Sequence, residues 1–183
     1  MLQLAFSGAC NDISVVVQQR RLWNRVTLHH LMYRLLRDTH PQLGSQLVCN
    51  AIYSVCRSAR LVYQHQISPY SQLVATGKPL PLLRFSQTAP VLFDRRTLSL
   101  RNGVASIYTL DGRMHCACDV EQQDEAMFAA SRVHELILQR SKAGAFELLI
   151  DFRNEASKRP ARRAVGELFI ESLPEGLHVQ EMH

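Results

Sequence analysis

The chain has 183 residues, of which 46% are hydrophobic and 20% are charged. This composition is globular and excludes disordered and collagen-like proteins, and the length suits one domain or two small ones with a shared core. No apolar run approaches the roughly 20 residues that span a bilayer, and the first residues lack the basic and apolar regions of a signal peptide. We therefore expect a cytoplasmic protein without a membrane partner.

The positive charge is concentrated near the N-terminus. Residues 1–64 contain seven arginines and two acidic residues, whereas basic and acidic side chains balance in residues 65–183. Arginine outnumbers lysine 18 to 3 in the whole chain. Arginine suits phosphate groups and base edges, so the excess favours a polyanionic partner. A GC-rich genome would raise the arginine content equally well, and the sequence leaves both explanations open.

Two helices are predicted first. Residues 12–39 form one helix, with Asn11 or Asp12 as its N-cap and the His40-Pro41 pair as its end. Residues 45–64 form the second helix, because apolar residues repeat there every three or four positions: Val48, Ala51, Ile52, Val55, Ala59 and Val62. The short link between the helices predicts a helical hairpin.

Shorter periods then indicate antiparallel strands. Strands are expected at residues 91–93 and 97–100, and again on either side of a tight Asp111-Gly112 turn, at residues 105–110 and 114–118. A second hairpin is expected from residues 133–139 and 146–152, after a short helix at residues 122–132 whose apolar members are Ala126, Met127, Ala129 and Ala130.

The order of these elements defines an α+β protein: an N-terminal helical hairpin followed by an antiparallel, wedge-like β-barrel or sandwich. We divide the chain into a helical segment (1–67), a linker (68–88), a β domain (89–156), and a basic linker with an acidic tail (157–183). The last segment contains the basic run at residues 158–163.

No enzyme motif is present, so we expect no catalytic residue, no cofactor and no metal site. The adjacent His29 and His30 point about 100° apart on a helix and chelate poorly. The string His115-Cys116-Ala117-Cys118-Asp119 is expected in a strand, where side chains alternate between the two faces. Cys116 and Cys118 then lie on one face, and His115 and Asp119 lie on the opposite face. The cysteine count is five, an odd number without a C-x-x-C pair, which favours reduced thiols.

The second helix carries a more suggestive polar line. Its members recur at the spacing of one helix face: Asn50, Tyr53, Arg57, Arg60 and Gln64. Arginines on such a line can contact phosphates while the tyrosine stacks on a base or packs beside them, and Arg20, Arg21 and Arg25 of the first helix add positive charge. The alternative is an ordinary solvated helix face.

Residues 89–100 (APVLFDRRTLSL) and 104–113 (VASIYTLDGR) together resemble the middle of the TnpB/OrfB family of transposon-encoded RNA-guided nucleases. Weaker similarities occur in the same order at residues 22–24 (LWN), 50–59 (NAIYSVCRSA) and 141–152 (SKAGAFELLIDF). The resemblance covers roughly residues 20–153.

The resemblance implies a helical recognition lobe inserted in a wedge-type β-barrel, which in that family holds guide RNA and target-adjacent DNA. The family cuts DNA with a following RuvC-type domain, whose metal ions are held by three carboxylates. Here only Glu167 matches a catalytic carboxylate position, and the family's zinc-ribbon cysteines have no counterpart.

Two functions follow as expectations. The first is a nuclease-dead module, or truncated remnant of a TnpB-like protein, that binds RNA or DNA. The alternative is a stand-alone interaction protein or homo-oligomer, whose basic helix faces a protein partner or a second copy.

Overall fold

The computed structural model describes residues 1–73, 79–118, 120–130, 133–140, 144–152 and 177–180. Four helices and eight strands follow in the order α1 (Leu2–Arg20), α2 (Arg25–Thr39), α3 (Ser45–Tyr63), β1 (Leu82–Phe85), β2 (Val91–Phe93), β3 (Leu98–Arg101), β4 (Val104–Thr109), β5 (Gly112–Ala117), α4 (Gln122–Ala130), β6 (Val133–Arg140), β7 (Phe146–Phe152) and β8 (Leu177–Gln180). The α+β class predicted from the sequence is confirmed.

The first predicted helix is two helices. Arg21 adopts a left-handed conformation (φ 51°) that ends α1, and Asn24 caps α2 by accepting hydrogen bonds from the backbone N–H groups of Val26 and Thr27. The N-cap of α2, the first helix of the hairpin, is therefore Asn24. Neither Asn11 nor Asp12, the two predicted caps, has this role. Helix α1 begins at Leu2, upstream of the predicted start at residue 12, and packs against α3.

Helix α3 forms as predicted, because its apolar positions repeat on one side. All six residues of the predicted stripe are buried. Helix α2 buries only a narrow stripe at four-residue spacing, Leu28, Met32 and Leu36. Its other apolar residues Val26, Leu31 and Leu35 remain exposed.

Residues that we assigned to a linker belong to the core. Strand β1 packs against α1, and Leu83 in its centre is 0% exposed. Amide side chains of α1 fasten the backbone around it: Asn11 bonds to both the N–H and the C=O of Phe85, and Gln18 donates to the carbonyl of Leu80. The linker prediction is therefore wrong for this stretch.

The tail prediction also needs correction, since β8 pairs antiparallel with β1 and Leu177 is buried. The basic run at residues 158–163 and Glu167 lie outside the described residues. Helices and strands contribute to one hydrophobic cluster, so the described ranges share a core.

The strands form three small antiparallel sheets, β1-β8, β2-β6-β7 and β3-β4-β5. Within the ranges described above, the sheets do not close into a barrel, which was one of the two predicted architectures, a barrel or a sandwich. Both predicted hairpins are present as β4-β5 and β6-β7. In α4 the predicted apolar members are exposed, and Phe128 is the buried side chain.

The β4-β5 turn differs by one residue from its prediction. Thr109 pairs with Gly112, so the turn residues are Leu110 and Asp111, and Gly112 follows them at a φ of +101°. A positive φ at the residue that follows the turn favours glycine, because glycine has no Cβ. A turn at Asn102-Gly103 joins β3 and β4, with both residues at positive φ.

Replacing Gly112 by valine is expected to lower the free energy of unfolding by about 1 kcal/mol or more, because a β-branched residue tolerates positive φ poorly. A Cβ at this position meets nothing within 4 Å, so the loss reports backbone strain alone. Gly8→Ala in α1 is the matched control: its Cβ makes an ordinary 3.5 Å contact with His40, and a helical Gly→Ala change should stabilise by about 0.5–1 kcal/mol. Denaturant titration of both variants measures the two changes in the free energy of unfolding, which should have opposite signs. Equal stabilities of the two variants would contradict the positive φ assigned to Gly112.

Candidate nucleic-acid interface

The predicted polar line on α3 divides at Tyr53. Asn50 is only 6% exposed, and its side-chain amide donates a 3.2 Å hydrogen bond to the carbonyl of Leu92 in β2. Because the β2 strand covers this part of the helix, Asn50 fastens α3 to the sheet and does not contribute to an exposed binding line. That part of the site prediction is wrong. Tyr53 is half-buried, and Arg57, Arg60 and Gln64 are exposed.

Arg25 joins this line from a different helix. It is the first residue of α2, and its guanidinium carbon lies 4.9 Å from the centroid of the Tyr53 ring. This is a cation–π contact, which holds a positive charge over the ring face. The arginine over the Tyr53 ring is thus Arg25 of α2, whereas the prediction named the arginines of α3 as its neighbours. The Asn24 cap sets the start of α2 and so fixes where Arg25 lies.

The positive charges of Arg60 and Arg25 act on the same thiol of α3. Burial raises the pKa of the Cys56 thiol to about 11, against the lowering effect of the positive charges of Arg60 and Arg25. Neither arginine forms an ion pair with a carboxylate in the described part of the chain.

The turn between β2 and β3 extends the positive charge. Burial raises the pKa of the half-exposed Cys49 thiol, Arg25 lowers it, Asp94 raises it and Arg96 lowers it. The charges of Arg25 and Arg96 thus act on the same thiol of α3, from α2 and from the turn after β2. The Asp94 carboxylate orients this turn by accepting hydrogen bonds from the backbone N–H groups of Arg96 and Thr97, both at 3.0 Å.

Sequence reasoning missed Arg96 as a site residue. It lies within residues 89–100, the string that carries the family resemblance, but nothing in its local pattern indicates a position beside α3. Arg113 of β5 supports the turn from below by donating to the carbonyl of Arg96 (2.6 Å) and to the Ser106 hydroxyl (3.1 Å). We refer to Arg25, Tyr53, Arg57, Arg60 and Arg96 as the basic surface.

Arg20 and Arg21 lie at the end of α1. Arg20 is exposed, whereas Arg21 forms the left-handed end of the helix and donates from its guanidinium to the Gln72 side chain (3.1 Å). Trp23, in the link that follows, packs against Tyr63 with ring centroids 5.4 Å apart. The link thus passes the C-terminal end of α3, the end that carries Arg60.

The histidine and cysteine patterns are not brought together. His29 stacks on Tyr33 with ring centroids 4.8 Å apart, so the imidazole of His29 packs against an aromatic ring of its own helix. His115 pairs with Ser106 in the β4-β5 ladder and is exposed, and Asp119 lies outside the described residues. Within the ranges that the structure describes, no three His, Cys, Asp or Glu side chains are grouped to hold a metal ion.

Comparison with known proteins adds no relative. No protein-family model matches the chain, and no curated protein matches it significantly. Among the described helices, none is both long and apolar enough to cross a membrane. The basic surface combines several guanidinium groups with one aromatic ring, an arrangement suited to phosphate-backbone contacts.

Proposed function

We propose that this chain is a nucleic-acid-binding module without nuclease activity, similar to the recognition-lobe and wedge part of the TnpB/OrfB family. The observation that carries the proposal is the contact of Arg25 with the Tyr53 ring, which places an arginine of α2 on the face of α3 that exposes Arg57 and Arg60. An arginine contributed by a second helix raises the positive charge of this face above that of α3 alone.

The expected mode of binding is contact with phosphates. Because Arg25 lies over the Tyr53 ring, a base can stack on that face only if the guanidinium moves away. Phosphate oxygens can instead bridge neighbouring guanidinium groups, whose planar forks donate paired hydrogen bonds. The binding energy would then depend little on base sequence and strongly on salt.

The direct test is to purify the protein at low salt and to sequence the nucleic acid that copurifies with it. The proposal expects nuclease-sensitive material with an absorbance maximum typical of nucleic acid, and the sequencing separates RNA from DNA. Absence of such material, together with no measurable affinity for a labelled RNA or DNA at low salt, would contradict it.

Metal-dependent DNA cleavage is expected to be absent. Two-metal hydrolysis needs several carboxylates around one site, and the resemblance assigns only Glu167 to such a position. Incubation of supercoiled and single-stranded DNA with the protein and Mg²⁺ or Mn²⁺ should leave both substrates intact. Cleavage that Glu167→Gln abolishes would refute this prediction.

The alternative function is assembly with a protein or a second copy of the chain. The observation that favours it is the exposure of Leu31 (37%) and Leu35 (53%), which lie one turn apart on α2. Assembly predicts a molecular mass that rises with protein concentration, together with no affinity for nucleic acid at low salt. The nucleic-acid proposal predicts such affinity, so one set of measurements separates the two.

A further inference from the structure

A cavity of about 490 Å³ lies between the start of α1, the β4-β5 hairpin and the β6-β7 hairpin. Most of its lining side chains are apolar, and four of them carry sulfur: Met1, Met114, Cys116 and Cys118. The cavity is separate from the basic surface, to which none of its lining residues belongs.

Three of the sulfur residues lie on one side of a single strand. Met114 and Cys116 are two apart in β5, opposite Ile107 and Ala105 of β4. Cys118 follows just after the strand, and its backbone N–H still donates to the carbonyl of Gly103 (2.8 Å), which continues the extended geometry by one residue. Because side chains alternate along a strand, these three point to the same face and His115 to the other.

The two thiols are close neighbours. Burial raises the pKa of the Cys116 thiol, and the adjacent Cys118 side chain raises it further. The Cys116 thiol also donates weakly to the carbonyl of Ala105, at 3.8 Å. Both cysteines are half-buried and free of disulfide bonds. Their sulfur atoms thus open onto the cavity as a reduced pair.

The donor set selects the kind of ion. No carboxylate or imidazole is among the side chains that line the described cavity, so Mg²⁺ and Ca²⁺ lack their oxygen ligands, and Zn²⁺ finds two strong ligands there, the thiolates of Cys116 and Cys118, where it needs three or four. Thiolate and thioether sulfurs are instead the ligands that select Cu(I). The charged side chain in the lining is Arg140, whose positive charge favours an anionic dithiolate complex.

We propose that Cys116 and Cys118, with the Met114 thioether, form a binding site for a monovalent soft metal ion, Cu(I). On binding, each thiol loses its proton to solvent and forms a sulfur–copper bond, and the copper stays in the +1 state throughout. The site is independent of nucleic-acid binding.

The experiment is an anaerobic titration of the reduced full chain with Cu(I), in competition with the chromogenic chelator bicinchoninate. One equivalent of Cu(I) per chain should be withheld from the chelator. Cys116→Ser/Cys118→Ser should abolish this competition, and Met114→Leu should weaken binding by at least about tenfold. The matched control Cys49→Ser/Cys56→Ser removes two thiols of α3 that lie outside the cavity and should leave the titration unchanged.

A second measurement needs no variant. Cu(I) should slow alkylation of Cys116 and Cys118 by iodoacetamide in the unsubstituted protein, with little effect on Cys49, as quantified by mass spectrometry of peptides. The proposal is overturned if Cu(I) protects all three thiols alike, or if no equivalent is withheld from the chelator. It is also overturned if the control pair loses binding as the test pair does, or if Zn²⁺ gives equal protection.

Discussion

Substituting Asn50 by aspartate is expected to lower the free energy of unfolding by about 3 kcal/mol at neutral pH, because it places a carboxylate in a buried site where an amide now donates. The amide N–H that reaches the carbonyl of Leu92 is lost, and two oxygen atoms then face each other in the interior between α3 and β2. Chemical denaturation at pH 7 measures the effect. If Asn50 were instead an exposed member of the binding line, this substitution would change the free energy of unfolding by less than about 0.5 kcal/mol.

The sign of the pH dependence provides an internal check. A buried carboxyl that faces a carbonyl is more stable protonated, so its pKa in the folded variant lies above the unfolded value. The penalty of Asn50→Asp should therefore be smallest in acid, where the protonated group can again donate to Leu92, and should grow as the pH rises through the folded pKa.

Asn24→Asp is the matched control for this substitution. The Asn24 oxygen accepts the backbone N–H groups of Val26 (3.0 Å) and Thr27 (3.2 Å), a role that a carboxylate performs equally well. A negative charge at a helix N-terminus is also favourable, so stability should be unchanged or slightly increased. Equal losses in both variants would contradict the buried role of Asn50.

The second large effect is expected at Leu83. Truncation to alanine should cost about 2–5 kcal/mol, because this fully buried side chain of β1 fills the core beneath α1. Leu73→Ala is the control, since that leucine is 67% exposed and its truncation should change stability by less than about 0.5 kcal/mol. Thermal and denaturant unfolding of the two variants should differ clearly. If Leu83→Ala were as mild as the control, residues 79–88 would be the linker that the sequence suggested.

Locally encoded elements were predictable. Helix α3 is indicated by an apolar stripe, all of which is buried in the structure. The Asn102-Gly103 turn is indicated by two residue types that tolerate positive φ. In both cases neighbouring residues contain the whole signal. The helix and strand classes, and both hairpins, followed from such patterns.

Helix α1 was hidden because its buried side contains polar residues. Ser7 and Ser14 are buried, and their hydroxyls are satisfied within the helix by the carbonyls of Leu4 (3.1 Å) and Cys10 (2.8 Å). A serine hydroxyl that is hydrogen-bonded within its own helix can be buried at little cost. A serine at a buried position, however, interrupts the apolar repeat by which helices are recognised in a sequence. Gln3 is buried in the same way, bonded to the carbonyl of Thr88.

The missed strands depend on partners distant in sequence. Leu82 of β1 faces Gln180 of β8, and no local pattern in residues 79–88 specifies that pairing. The site shows the same limit. A helical wheel placed Asn50 beside Tyr53, but only the position of β2 reveals that Asn50 is covered, and only the β2-β3 turn brings Arg96 to α3.

The basic surface is expected to bind phosphates. Arg57 and Arg60 are its two exposed arginines on α3, and each phosphate contact adds about 0.9 to the slope of log affinity against log salt for duplex DNA and about 0.7 for single strands. Arg57→Ala/Arg60→Ala should therefore weaken binding by about tenfold and flatten the slope by about 1.4–1.8.

A control with the same loss of charge is Arg34→Ala/Arg101→Ala. Both arginines are exposed, and Arg34 lies nine residues after Arg25 on α2, which turns its side chain to the opposite side of that helix. The control should retain the unsubstituted slope, because it reduces the net charge without touching the basic surface.

The most direct measurement is the affinity of the protein and these two double variants for a labelled RNA and a labelled DNA across a series of salt concentrations. The account predicts a steep slope for the unsubstituted chain, a flatter one for Arg57→Ala/Arg60→Ala, and an unchanged one for Arg34→Ala/Arg101→Ala. Equal slopes for the two double variants, or no binding at low salt by the unsubstituted chain, would contradict it.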